Sequence, residues 1–128
     1  MQIINPADVM GPQGGFSQGI RVRDLVCVAG QVGVDADGKL SGDGGMEAQT
    51  RQTIANLAAV LREAGASLAD VVSATVYLKD FSAYKLFDRV WQECFANHRP
   101  ARATVRAEMV VPALLVEIQA IAVRPPAD

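Results

Sequence analysis

No stretch of this chain approaches the ~20 consecutive apolar residues a membrane-spanning helix needs, although half of its 128 residues are hydrophobic. A membrane partner is not expected, and the apolar residues must be shared among several short elements. Cysteine is scarce, with only Cys27 and Cys94, and neither lies in a Cys-x-x-Cys or Cys/His cluster. That argues against a disulfide framework or a metal centre, and both thiols read as small buried apolar residues. The one histidine, His98 in Asn97-His98-Arg99-Pro100, has no second ligand or nucleophile beside it and reads as a solvated loop or helix C-cap residue. Runs of lysine or arginine are absent, and 12 basic residues against 14 acidic ones leave a net charge of -2. Nucleic acid is therefore a poor partner. Met1-Gln2-Ile3-Ile4-Asn5-Pro6 lacks the basic and apolar regions of a secretory signal, so the expectation is a cytoplasmic protein with reduced thiols.

The length fits a single domain, 1–128, with a core that needs no metal or cross-link. After the glycine-rich loop Gly11-Pro12-Gln13-Gly14-Gly15, the segments Gln18–Arg23 and Leu25–Gly30 read as a hairpin. From Met46 to Ala64, positions Met46, Ile54, Leu57, Val60, Leu61 and Ala64 keep helical spacing, with Gln49 among the polar residues placed elsewhere; Gly65 supplies the C-terminal cap. Asp70–Lys79 is rich in β-branched residues and alternates as a strand. Asp80 or Ser82 can cap a second helix, Ala83–Asn97, with Leu86, Phe87, Val90, Trp91, Cys94 and Phe95 as its buried stripe. The order predicts an α+β fold with one mixed sheet backed by two helices.

Two strands close the chain. From Pro100 to Met109, Ala103, Val105, Ala107 and Met109 alternate with Arg102, Thr104, Arg106 and Glu108. Leu114–Val123 is apolar enough for a sheet centre, with Glu117 and Gln119 as its only polar side chains. Helices on one side leave the other sheet face open, and that face is expected to carry Arg102, Thr104, Arg106, Glu108, Glu117 and Gln119. Its mixture of apolar and charged groups points to oligomerisation, with a cleft between subunits. An arginine fork grips a carboxylate through two charge-assisted hydrogen bonds, and a nearby glutamate can hold or deprotonate a water. The alternative is a structural Arg102–Glu117 ion pair joining two strands or two subunits. Arg106 and Glu108 read as inter-subunit pairs.

Gly14-Gly15-Phe16-Ser17-Gln18, Val28-Ala29-Gly30-Gln31-Val32, Gln49-Thr50-Arg51-Gln52 through Asn56-Leu57, Thr75-Val76-Tyr77-Leu78, Pro100-Ala101-Arg102 and Val116-Glu117-Ile118-Gln119-Ala120-Ile121-Ala122 occur in one register. Together they resemble the RidA (YjgF/UK114) family of imine and enamine deaminases. The resemblance implies a chorismate-mutase-like two-layer fold and a homotrimer with sites between subunits. It implies a cofactor-independent, metal-free hydrolysis of 2-imino or enamino acids to 2-keto acid and ammonia. Arg102 would bind the substrate carboxylate and Glu117 would position the attacking water, making these the catalytic pair. Ala29, Gly30 and Thr104 would line the pocket, and Phe16 would close it from the adjacent subunit.

The chain departs from the family's motifs at Phe16 (tyrosine), Ala29 (serine), Gly15 (proline) and Asp88 (commonly asparagine). These changes imply a less polar pocket with an altered substrate range. A non-catalytic regulatory protein that binds small carboxylates is the alternative. A ribonuclease activity, also attached to this family, fits poorly with the acidic charge balance.

Overall fold

The computed structural model describes residues 1–127. Its elements run β1 (Gln2–Ile4), β2 (Gly19–Val22), β3 (Leu25–Val32), α1 (Met46–Glu63), a 3-10 turn (Leu68–Asp70), β4 (Val71–Leu78), α2 (Tyr84–Cys94), β5 (Ala101–Arg106) and β6 (Val116–Val123). The strands form one sheet in the order β1-β2-β3-β6-β4-β5, antiparallel except for the parallel β4–β5 pair, which α2 connects. The α+β class and mixed sheet expected from the sequence are present. The short β1 escaped the sequence reading because three residues before Pro6 carry too little periodicity to register.

Alternation decides which face each strand shows. On β6, Val116, Ile118, Ala120 and Ala122 are buried under the helices, so Glu117, Gln119, Ile121 and Val123 take the uncovered side. The covered residues pack with Val26, Val28, Val76 and Leu78 against Leu57, Val60 and Leu61 of α1 and Phe87 and Trp91 of α2. On the uncovered side, Val22, Leu25, Val105, Ile121 and Val123 are each at least 40% exposed. Register places Val22 beside Leu25, Leu25 beside Val123, and Cys27 beside Ile121, so these residues form a continuous apolar surface. Cys27 is thus exposed rather than buried.

Helix α1 ends as its sequence demands. Gly65 adopts φ of +81°, and the Ala66 N–H donates to the Leu61 carbonyl at 2.8 Å while the Gly65 N–H donates to Arg62 at 3.0 Å. This is the paired bonding of a Schellman cap, whose left-handed residue glycine enters without steric cost. At the start of α2 the expected cap is absent. Asp80 instead accepts hydrogen bonds from the backbone N–H and hydroxyl of Ser82, and Ala83 occupies the N-cap. His98 is not a free loop residue, since its Nε2 lies 2.5 Å from the Val71 carbonyl and ties the chain after α2 to the start of β4.

Strand β5 overturns one expectation. Arg102, Thr104 and Arg106 stand in register with Ala74, Val76 and Leu78, which are all buried on the helix side. These three polar residues therefore lie on the helix face, and Ala103 and Val105 lie on the uncovered one. Glu108 falls beyond the end of the strand. The alternation is present, with its two faces exchanged relative to the expectation. An edge strand meets only the margin of the helix layer, where a long arginine can lay its stem on aromatic rings and keep its head near the rim.

Candidate active site

Glu117 sits on β6 in register between Val32 of β3 and Tyr77 of β4. The β3–β6 ladder shifts between Val28 and Gln31, and Ala29 and Gly30 fall in that irregularity. Gly30 lies directly against the glutamate: a Cβ built there would collide with the Glu117 carboxylate, so the missing side chain makes the room. Glu117 faces a cavity of about 280 Å³ shared with Phe16, Gly30, Val32, Val110 and Leu114. The walls are mostly apolar and the carboxylate has no hydrogen-bond or ion-pair partner among the described residues. Burial pushes its pKa up, with no neighbouring charge to offset the effect.

Buried amides hold this cavity in shape. The Gln31 Nε2 donates to the Gln18 Oε1 at 2.7 Å, and the Gln18 Nε2 donates to the Met10 carbonyl at 2.9 Å. The Asn56 Nδ2 reaches the carbonyls of Val32 and Val34, both at 2.9 Å, fixing the end of β3 to α1. Gln49, expected away from the core, is fully buried; its amide donates to the Gly44 and Ala113 carbonyls and accepts from the Leu115 N–H. Gln18, Asn56 and Gln49 give backbone groups beside the cavity a side-chain partner, and Gln31 holds Gln18 in place. Helical spacing alone cannot reveal such a role, because it marks an amide as polar whether it meets water or a carbonyl.

Arg102 lies elsewhere. Its Nη1 donates to the Asp88 Oδ1 at 2.8 Å and its Nη2 to the Tyr84 hydroxyl at 2.8 Å. The guanidinium carbon stands 5.8, 5.4 and 5.1 Å from the ring centres of Tyr84, Phe87 and Trp91, within cation–π range. Asp88 also accepts from the Gln92 Nε2 at 2.8 Å. Burial alone would raise the Asp88 pKa, but the hydrogen bonds from Arg102 and Gln92 and the charges of Arg102 and Arg99 hold it below the usual carboxylate range. Thr104 lies along the same edge, lining a groove with Phe81, Ser82, Tyr84 and Lys85. The roles of Tyr84 and Asp88 were missed in the sequence, though their i, i+4 spacing places both on one ridge of α2.

The expected site residues thus divide into two groups. Phe16, Gly30 and Glu117 share a cavity, with Ala29 beside it in the β3 irregularity, whereas Arg102 and Thr104 lie on the opposite face of the sheet under α2. One chain does not bring Arg102 to Glu117. A structural pair between them inside one chain also fails, since the ionic partner of Arg102 is Asp88. A larger hollow of about 770 Å³, beside Gln2, Glu63 and Asp70, contains neither group; its Arg21 is committed to the carbonyls of Ala64 and Arg124. Among the described residues no group of His, Cys, Asp or Glu is placed to hold a metal, and no helix is long and apolar enough to cross a membrane.

A two-layer α+β chain with one apolar sheet face uncovered, a lone carboxylate near one strand irregularity and an arginine on an edge strand defines the class. Residues 7–124 match the family model described as Endoribonuclease L-PSP, and the chain belongs to that family, which includes the RidA/YjgF proteins. A RutC family protein of Pyrococcus abyssi is 40% identical over 111 residues, which span 87% of each chain. The human 2-iminobutanoate/2-iminopropanoate deaminase is 27% identical over 125 residues, 98% of this chain and 91% of its own. The crystal structure of E. coli TdcF with bound serine matches the fold with a TM-score of 0.90 at 28% identity, covering 97% of this chain and 99% of that one.

Proposed function

We propose that this protein is a cofactor-independent hydrolytic deaminase of reactive imines and enamines, acting in the cytoplasm as a homotrimer. Glu117 of one copy and Arg102 of the next would form each site. The observation that carries the reading is the half-buried, unpartnered Glu117 carboxylate facing an apolar cavity beside an uncovered apolar sheet face. A carboxylate held there at the expense of its own hydration has a use for a water molecule. The apolar face also accounts for assembly, because residues such as Leu25 and Ile121 are removed from water only by another chain.

The chemistry needs little beyond orientation, since a protonated imine carbon is already electrophilic. Glu117 accepts a proton from water as the oxygen attacks that carbon, giving a carbinolamine. The proton then passes to the nitrogen, the C–N bond breaks as the carbinolamine hydroxyl returns its proton to Glu117, and ammonia leaves with a carbonyl product. Arg102 holds the polar end of the substrate, which is the carboxylate in a 2-imino acid. The apolar cavity side, with Phe16 and Ala29 in place of hydroxyl-bearing residues, accommodates a bulkier substrate than the smallest imino acids.

A second reading, a regulatory protein that binds a small carboxylate without turnover, draws support from the serine bound in the related TdcF structure. Ammonia release separates the two. Imines generated in situ by an amino-acid oxidase are expected to lose ammonia faster with the protein present than by solvent hydrolysis alone, with larger imines gaining most. Binding of the keto acid with no acceleration for any imine would establish the regulatory reading instead.

A further inference from the structure

We propose that Asp88 sets the substrate class of this site: its charge cancels that of Arg102 and selects an imine or enamine bearing a neutral group at that position, most simply a carboxamide, over one bearing a free carboxylate. The inference deepens the deaminase reading and rests on it for the reaction, but not for the binding preference.

The geometry leaves Arg102 poorly available to an anion. One terminal nitrogen already donates to Asp88 at 2.8 Å and the other to Tyr84 at 2.8 Å, so an incoming carboxylate meets a guanidinium whose charge is already answered and must share nitrogens that are already engaged. The two side chains are only 16% and 27% exposed, so the pair is partly withdrawn from screening water. Gln92 fixes the second Asp88 oxygen, and the rings of Tyr84, Phe87 and Trp91 fix the plane of the guanidinium, which limits escape by swinging aside. A carboxylate arriving at Arg102 would bring a second anion next to the first, and like charges sharing one guanidinium repel.

A carboxamide suits the same arrangement. Its oxygen can accept one of the N–H groups that Arg102 has left, and its NH2 can donate to a free lone pair of Asp88. Asparagine, which the family resemblance places at this position, would not carry the charge that produces this preference.

Calorimetric titration of 2-ketobutyrate and of 2-oxobutanamide into the intact protein tests the assignment. Wild type is expected to bind the amide more tightly than the acid. Asp88→Asn is expected to bind 2-ketobutyrate at least ~10-fold more tightly than wild type and to reverse the order. Asp88→Ser, which removes the charge without introducing an amide, should change the order in the same direction, and adding Arg102→Ala to Asp88→Asn should abolish the gain. Thermal melts identify any variant that has lost its fold, and the surviving substitution then decides. Tighter binding of the acid than the amide by wild type, no gain in either Asp88 variant, or no binding of either probe by any of the proteins would overturn the proposal. Ammonia release is measured separately: if no imine is hydrolysed, the deaminase reading fails while the binding order still judges Asp88.

Discussion

Glu117→Gln is expected to lower imine turnover by about 10²- to 10⁴-fold, the usual scale for loss of a positioned proton acceptor, while leaving the fold intact. The second half of that expectation follows from what Glu117 lacks. No hydrogen bond or ion pair holds it among the described residues, and burial raises its pKa. A carboxyl whose folded value lies above its unfolded one favours the folded state at low pH, and this contribution disappears as pH rises through the folded value. Glutamine stays neutral throughout. The variant should therefore melt at a slightly higher temperature than wild type at pH 7, with the difference vanishing below the unfolded value near 4.5. The wild-type rate should decline on acidification through a point above 4.5, and the variant should lack that limb. A pH–rate profile beside a set of thermal melts distinguishes this from simple unfolding. Unchanged turnover in the variant would remove Glu117 from the chemistry.

Arg102→Ala is expected to weaken substrate capture by about 10- to 150-fold, equivalent to losing a charged hydrogen bond of ~1.5–3 kcal/mol. It should also destabilise the protein, because Asp88 would be left partly buried without its cation. The pair acts in the opposite pH direction to Glu117. Asp88 has a lowered folded value, so its contribution is present above the ordinary 3.8 and is lost as pH falls through the folded value. Measuring Arg102→Ala, Asp88→Ala and the double variant apportions the two effects. The double variant should recover stability over Arg102→Ala alone and should not recover turnover. Recovery of both would reduce Arg102 to a structural partner of Asp88.

Much of the fold was legible because its signals are local. Gly65 stops α1 through a backbone conformation few other residues adopt, and the apolar spacing of Leu86, Phe87, Val90 and Trp91 marked α2 with its core-facing side. Strand β6 announced its two faces once the helices were counted. Strand β5 shows the limit of such reading. Alternation groups Arg102 with Thr104 and Arg106, but which group faces the helices depends on how far α2 reaches over the sheet edge, and hydrophobicity alone chose the alanines. The partnership of Arg102 with Asp88 joins residues fourteen positions apart on different elements. Its consequence for the site is larger than the change from an asparagine implies, since that position carries the anion that answers the arginine. Likewise Gln49 and Asn56 look like ordinary polar helix residues until the carbonyls they satisfy are in view.

The opposed faces of Arg102 and Glu117 turn the location of the site into a question about neighbouring copies. If the catalytic groups come from different chains, two inactive variants should repair one another. Arg102→Ala and Glu117→Gln chains, co-expressed with distinct tags and purified as mixed oligomers, are expected to regain about a third of the wild-type activity, because in every mixed trimer one of the three interfaces brings both intact residues together. Mixed oligomers that form and remain as inactive as either parent would contradict a site shared between copies.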